Sequence, residues 1–178
     1  MPDSTTIIHI IWSDSVPFET VSDFVRDDTD FGVYSIYGIH LDSHCDALLY
    51  IGRALGGSFG WRVPQHEGWI NSEVVGPVRV HLGRFAGATT PPNDDWNRQI
   101  ELAERLLIFA HQPPLNRRLG LGSLEPALQS VHVCNWGQRG NIFPEVSGLR
   151  WTTKSEQLPK NIYSTTSQVS ENPISVSA

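Results

Sequence analysis

The 178-residue chain predicts a small α/β domain, a central and mainly antiparallel sheet of three strands flanked by helices and extended at both ends. Three observations carry that expectation. Residues 32–37 (Gly-Val-Tyr-Ser-Ile-Tyr) and 77–82 (Pro-Val-Arg-Val-His-Leu) alternate in character, the period of a strand with two distinct faces. Residues 47–51 (Ala-Leu-Leu-Tyr-Ile) form a short apolar run close enough to the first strand to pair with it as a hairpin. Ile100, Ala103, Leu106, Leu107 and Ala110 gather on one side of a helix, the stripe that packs against a sheet.

The chain is long enough to bury a core without a disulfide or structural metal, and its 39% hydrophobic content, six Trp, seven Phe and four Tyr exclude general disorder. Residues 7–12 (Ile-Ile-His-Ile-Ile-Trp) predict a short strand and residues 19–26 a short helix, both in an N-terminal extension covering 1–29. In the first strand of the domain proper, Val33, Ser35 and Tyr37 fall on one side and Tyr34 and Ile36 on the other. Residues 52–76 hold Gly56, Gly57, Gly60 and Pro64, each unfavourable to a helix, and predict a partly irregular segment. The helix that follows has Asp94 or Asp95 to cap it and ends before Pro113 and Pro114. Glu104 sits at the edge of its apolar stripe. A late strand is expected over 128–134 within a packed C-terminal extension, 121–151, and ten Ser or Thr among residues 152–178 predict a flexible tail.

Cys45 and Cys134 can form one bridge at most and show no metal-ligand spacing, which favours a reduced, cytoplasmic setting. No apolar run is long enough to span a bilayer. His40, His44, Cys45 and Asp46 likewise lack the spacing of a zinc site and read as a solvated turn. The net charge of −6 opposes polyanion binding, but its distribution is uneven: residues 1–46 carry −8 and residues 47–178 carry +2. Eleven of the thirteen basic residues are Arg, whose planar fork suits phosphate oxygens.

Gly32-Val33-Tyr34 followed by Tyr50-Ile51-Gly52 resembles the paired signature of the GIY-YIG nucleases. The remaining positions of that pattern follow in order: Arg62, His66 four residues later, Glu104 on the helix, and Asn116 twelve residues further on in a Pro-Pro-Leu-Asn segment. The resemblance covers about residues 30–120, the expected catalytic domain. It departs from the family at Pro64, which lies between Arg62 and His66 where the family has a regular helix, and Arg53 is the alternative cation to Arg62.

Taken singly, each residue has an ordinary explanation. Tyr34 and Tyr50 suit any strand, Glu104 suits an exposed helix face near Arg98 or Arg105, and Asn116 suits a turn. The joint order is what points to chemistry. The resemblance implies in-line attack of water on a DNA phosphodiester, with one Mg²⁺ (or Mn²⁺) bound by Glu104. Arg62 would neutralise a phosphoryl oxygen, and Tyr34 would be the general base with His66 the alternative base or proton shuttle. Tyr50 and Asn116 would orient the reacting groups. Cutting both strands would take a homodimer or sequential nicks, and an accessory protein could supply positive surface. RNA cleavage and a non-catalytic nucleic-acid or protein interaction module on the same fold are the competing expectations.

Overall fold

The computed structural model describes residues 5–26, 28–42, 44–86, 93–116 and 123–151. The tail expected over 152–178 lies outside them.

Strands β1 (Thr6–Trp12), β2 (Val16–Pro17), β3 (Gly32–His40), β4 (Asp46–Ala54), β5 (Val74–Ala86), β6 (Val131–Gly137) and β7 (Glu145–Ser147) form one sheet. Its order is β4-β3-β5-β1-β6-β7, with β2 paired to β5. The three expected strands are present and pair antiparallel, β3 lying between β4 and β5. The expectation of a three-stranded sheet is nevertheless incorrect. The sheet continues through β1, antiparallel to β5, and then through β6, which runs parallel to β1, so it is seven-stranded and mixed. Alternation in a sequence marks a strand but not its neighbours, and the β1–β6 pairing joins residues more than a hundred positions apart. A buried bond reinforces that pair: the Trp12 indole N–H donates to Asn135 Oδ1 at 2.9 Å.

Helices occupy both faces. On one lies α3 (Asn93–His111), whose Ile100, Ala103, Leu106 and Leu107 are fully buried against Ile8, Ile10, Val33, Ile51 and Val133. Each buried Ile, Leu or Val among them contributes about 1.5–3 kcal/mol by leaving water. Asp94 and Asp95 fall inside the first turn of α3, where their charge favours the helix dipole, rather than at its cap. On the other face, over β3, β4 and β5, residues 59–73 run as α1 (Phe59–Arg62), a 3₁₀ turn (Val63–His66) and α2 (Glu67–Glu73). Of the segment expected to be partly irregular, 52–76, residues 55–58 are irregular while 59–73 are helical, with the pitch tightened at Pro64. The helix expected over 19–26 is instead a 3₁₀ turn, Phe18–Asp23.

Because both faces of β3 are covered, its two sides belong to different cores. Val33 packs with α3, while Tyr34 and Ile36 pack with Val21, Phe59, Val63 and Ile70. Gly32, at φ +139°, stands where a Cβ would strike the Gly83 carbonyl oxygen, so only glycine lets β3 lie this close to β5 at its start. Cys45 and Cys134 are free thiols. Among the described residues no helix is long and apolar enough to cross a membrane.

Candidate active site

Tyr34 is the centre of the site. It comes from the buried middle of the sheet on β3, has no solvent exposure, and its hydroxyl lies 2.7 Å from His66 Nε2. His66 is carried by the 3₁₀ turn at the end of which α2 begins, and it is itself buried. Pro64 does not displace it: the tightened turn keeps both Arg62 and His66 directed at β3 and β4. Tyr50, from β4, completes an aromatic cluster, its ring 4.7 Å from His66 and 6.3 Å from Tyr34.

Gly52 explains how two tyrosines fit beside one strand. A Cβ at that position would lie 2.5 Å from the Tyr34 hydroxyl oxygen and 2.6 Å from both Tyr34 Cζ and Tyr50 Cε1. The Tyr34 ring thus lies across the glycine, and the missing side chain is the space it occupies.

Glu104 enters from the other layer, since α3 packs on the edge strand β4. Its Oε2 accepts from Arg53 Nη1 at 2.5 Å, and Arg53 Nη2 also lies 3.7 Å from Glu101. Arg105, the nearer partner in sequence, is engaged by Glu125 instead. Arg62 donates to the neutral Gln65 amide oxygen at 2.6 Å, which leaves its charge free to act on the site.

Asn116 is placed differently. Its Oδ1 accepts from the Ile51 N–H at 2.9 Å and its Nδ2 donates to the Ile51 carbonyl at 2.7 Å. It satisfies both backbone groups of one residue on the sheet's edge strand and so holds β4 in position between Tyr50 and Gly52. It acts as a brace for the site.

The electrostatics bind the other five together. Burial pushes the Tyr34 pKa well above 10, the neighbouring Tyr50 and Glu104 push the same way, and the Arg62 charge opposes them. Tyr50 is raised chiefly by burial and by Glu104, against Arg62 and Arg53. Burial also raises Glu104, with the Arg53 charge and hydrogen bond pulling it down. His66 is lowered to about 4 by burial and by Arg62, so its ring is neutral at physiological pH.

Tyr34, Tyr50 and His66 are therefore in contact, from β3, β4 and the 3₁₀ turn, and the charges of Arg62 on α1 and Glu104 on α3 act on the two phenols. Two further participants lie outside the six motif positions, one of them, Arg53, weighed in the sequence only as the alternative to Arg62. Arg53 follows Gly52 directly and takes the carboxylate of Glu104, and Trp69, three residues past His66, donates its indole N–H to His66 Nδ1 at 3.1 Å. The spacing His-x-x-Trp on one helical face was the only available sign of the second.

No protein-family model matches this chain, and no curated protein or solved structure is detectably similar to it.

Proposed function

We propose that the chain is a GIY-YIG-type, metal-dependent endonuclease that hydrolyses DNA phosphodiester bonds by in-line attack of water. The observation that carries this reading is the buried Tyr34–His66 pair at 2.7 Å, with the charges of Arg62 and Glu104 acting on the same phenol. Perturbed titratable groups brought together from distant segments mark a candidate catalytic site.

Glu104 is the residue that would hold the metal. Among the described residues no three His, Cys, Asp or Glu side chains gather, which leaves no all-protein cage. One carboxylate with retained waters fits Mg²⁺, or Mn²⁺ in its place, and Arg53 engages only one of the two Glu104 oxygens. Bound there, the cation would polarise the phosphate and stabilise the departing alkoxide. Tyr34 Oη, its own proton passed to water and the phenolate held by the Arg62 charge, would take the proton of the attacking water as the new P–O bond forms and the P–O bond to the leaving sugar breaks, the departing alkoxide taking a proton from solvent. Arg62 neutralises charge on a non-bridging oxygen. Tyr50 orients the water or phosphate beside Tyr34.

A second reading, a non-catalytic interaction module on the same fold, is favoured by the closed Arg53–Glu104 pair and by the burial of Tyr34. Incubation of supercoiled DNA, linear DNA and matched RNA with Mg²⁺ separates the two, with EDTA and Glu104→Gln as controls. The endonuclease nicks DNA, stops with EDTA, and loses about 100-fold or more in Glu104→Gln. A wild-type protein that cleaves neither nucleic acid with either metal is the module.

A further inference from the structure

We infer that Trp69 is a positioning residue that fixes the tautomer of His66, making His66 a hydrogen-bond donor to Tyr34 rather than a base. The role in catalysis rests on the endonuclease reading; the tautomer itself does not.

The argument is a proton inventory. An indole N–H can only donate, so the 3.1 Å bond from Trp69 Nε1 requires a lone pair on His66 Nδ1. A neutral imidazole carries one ring proton, which must then sit on Nε2. Nε2 lies 2.7 Å from the Tyr34 hydroxyl oxygen, so the imidazole donates and Tyr34 accepts. With Nε2 already protonated, His66 has no lone pair with which to take the Tyr34 proton. The phenol's own O–H points elsewhere, and once that proton is gone the Nε2–H remains to stabilise the phenolate.

The partner's chemistry matters. In the familiar arrangement a carboxylate or carbonyl behind a catalytic histidine accepts from Nδ1 and favours the imidazolium. Trp69 does the reverse. Protonating Nδ1 would set its N–H against the indole N–H, so this contact resists the charged ring. The groups facing His66 from the other elements act in the same sense or are neutral: Arg62 is a cation, and Tyr34 and Tyr50 are phenols whose pKa values are raised. Helical geometry sets the pair, since residues three apart share a face, and the Trp69 ring is held by Tyr50 at a centroid distance of 5.6 Å.

The test is ¹⁵N NMR of the full chain labelled at histidine, with His66 assigned from a His66→Gln spectrum. At neutral pH His66 should show a pyridine-type Nδ1 and a pyrrole-type Nε2. In Trp69→Phe, which keeps an aromatic ring and removes only the N–H, the other tautomer should become populated and the imidazole should protonate at higher pH. In a cleavage assay the same variant should lose about tenfold or more in kcat with KM little changed, the scale on which outer-shell partners of metal-bound histidines act. A wild-type spectrum with the proton on Nδ1 overturns the inference whatever Trp69→Phe does, and so does an unchanged tautomer in a folded Trp69→Phe. A wild-type protein that shows the expected tautomer but cuts nothing supports this inference and defeats the endonuclease reading, so the two failures are distinguishable.

Discussion

Substituting Gly52 by alanine tests the packing on which the whole site depends. The added Cβ would lie 2.5 Å from Tyr34 Oη and 2.6 Å from Cζ. To reach 3.0 Å the phenol must retreat by 0.5 Å, and to reach an ordinary 3.4 Å by 0.9 Å. Nothing flexible is available to absorb this, because the obstacle is the end of a rigid ring on a residue with no solvent exposure. Overpacking of this kind costs about 1–3 kcal/mol. The functional loss should be larger in proportion. A hydroxyl 2.7 Å from His66 that moves most of an ångström loses good hydrogen-bond geometry, and displacement on that scale costs about 100-fold in rate. Urea unfolding gives the first quantity and single-turnover cleavage the second. A Gly52→Ala protein within about 0.5 kcal/mol of wild type and cleaving at the wild-type rate would refute the close approach of Tyr34 to β4.

Other perturbations follow from the same geometry. Asn116→Ala strands the N–H and carbonyl of the fully buried Ile51, and at about 1–3 kcal/mol for each lost partner should destabilise by roughly 2–6 kcal/mol; a urea midpoint unchanged from wild type would remove its role as a brace. The pKa of His66 is about 4 in the folded chain against 6.5 when unperturbed, so below about pH 6.5 the unfolded state binds the extra proton. The contribution of this residue should be flat above that point and lower stability by up to about 3 kcal/mol as pH drops toward about 4, with His111 adding in the same direction and Glu104, whose pKa burial raises, opposing. Denaturant unfolding of wild type and His66→Gln across that window checks it, and a stability difference between the two that does not move against wild type on acidification would contradict it. Arg84→Met leaves the buried Asp30 carboxylate without its 2.7 Å partner and should cost about 3–5 kcal/mol, much of it recovered when Asp30→Asn is added.

How much of this was legible in the sequence depended on distance along the chain. β3, β4 and β5 could be read because their alternation is local and their pairings follow from short connections. The larger sheet could not, because the β1–β6 pairing is set by burial of Ile8, Ile10, Val131 and Val133 together beneath α3, a contact that no window of sequence contains. Residues 59–73 misled in a different way. Gly60 and Pro64 weaken helix propensity, yet the backbone N–H groups of Phe59 and Gly60 are held by the carbonyls of Asp30 and Phe24, and Val63 and Ile70 anchor the segment on the sheet. Tertiary bonds outweighed local preference.

For the candidate site, order along the chain named six residues, and three of them, Tyr34, Tyr50 and His66, lie in contact. Even so, order alone assigned Asn116 an orienting role, whereas it braces β4. It also gave Arg53 second place to Arg62, although the two divide the work: Arg53 takes Glu104, and Arg62 keeps its charge for the phenols. Asp30, one of the acids that give residues 1–46 their charge of −8, is buried and paired with Arg84, so a segment's net charge does not say which of its members face solvent.

The most direct test of the central claim is single-turnover cleavage of supercoiled DNA by wild type and Tyr34→Phe in the presence of Mg²⁺. The substitution deletes one oxygen and leaves the ring in its core. If Tyr34 Oη is the base, wild type nicks the DNA and the variant, matched in thermal unfolding, is slower by about 10²–10⁴-fold. A Tyr34→Phe protein that cleaves at the wild-type rate, or a wild type that does not cleave at all, contradicts the account.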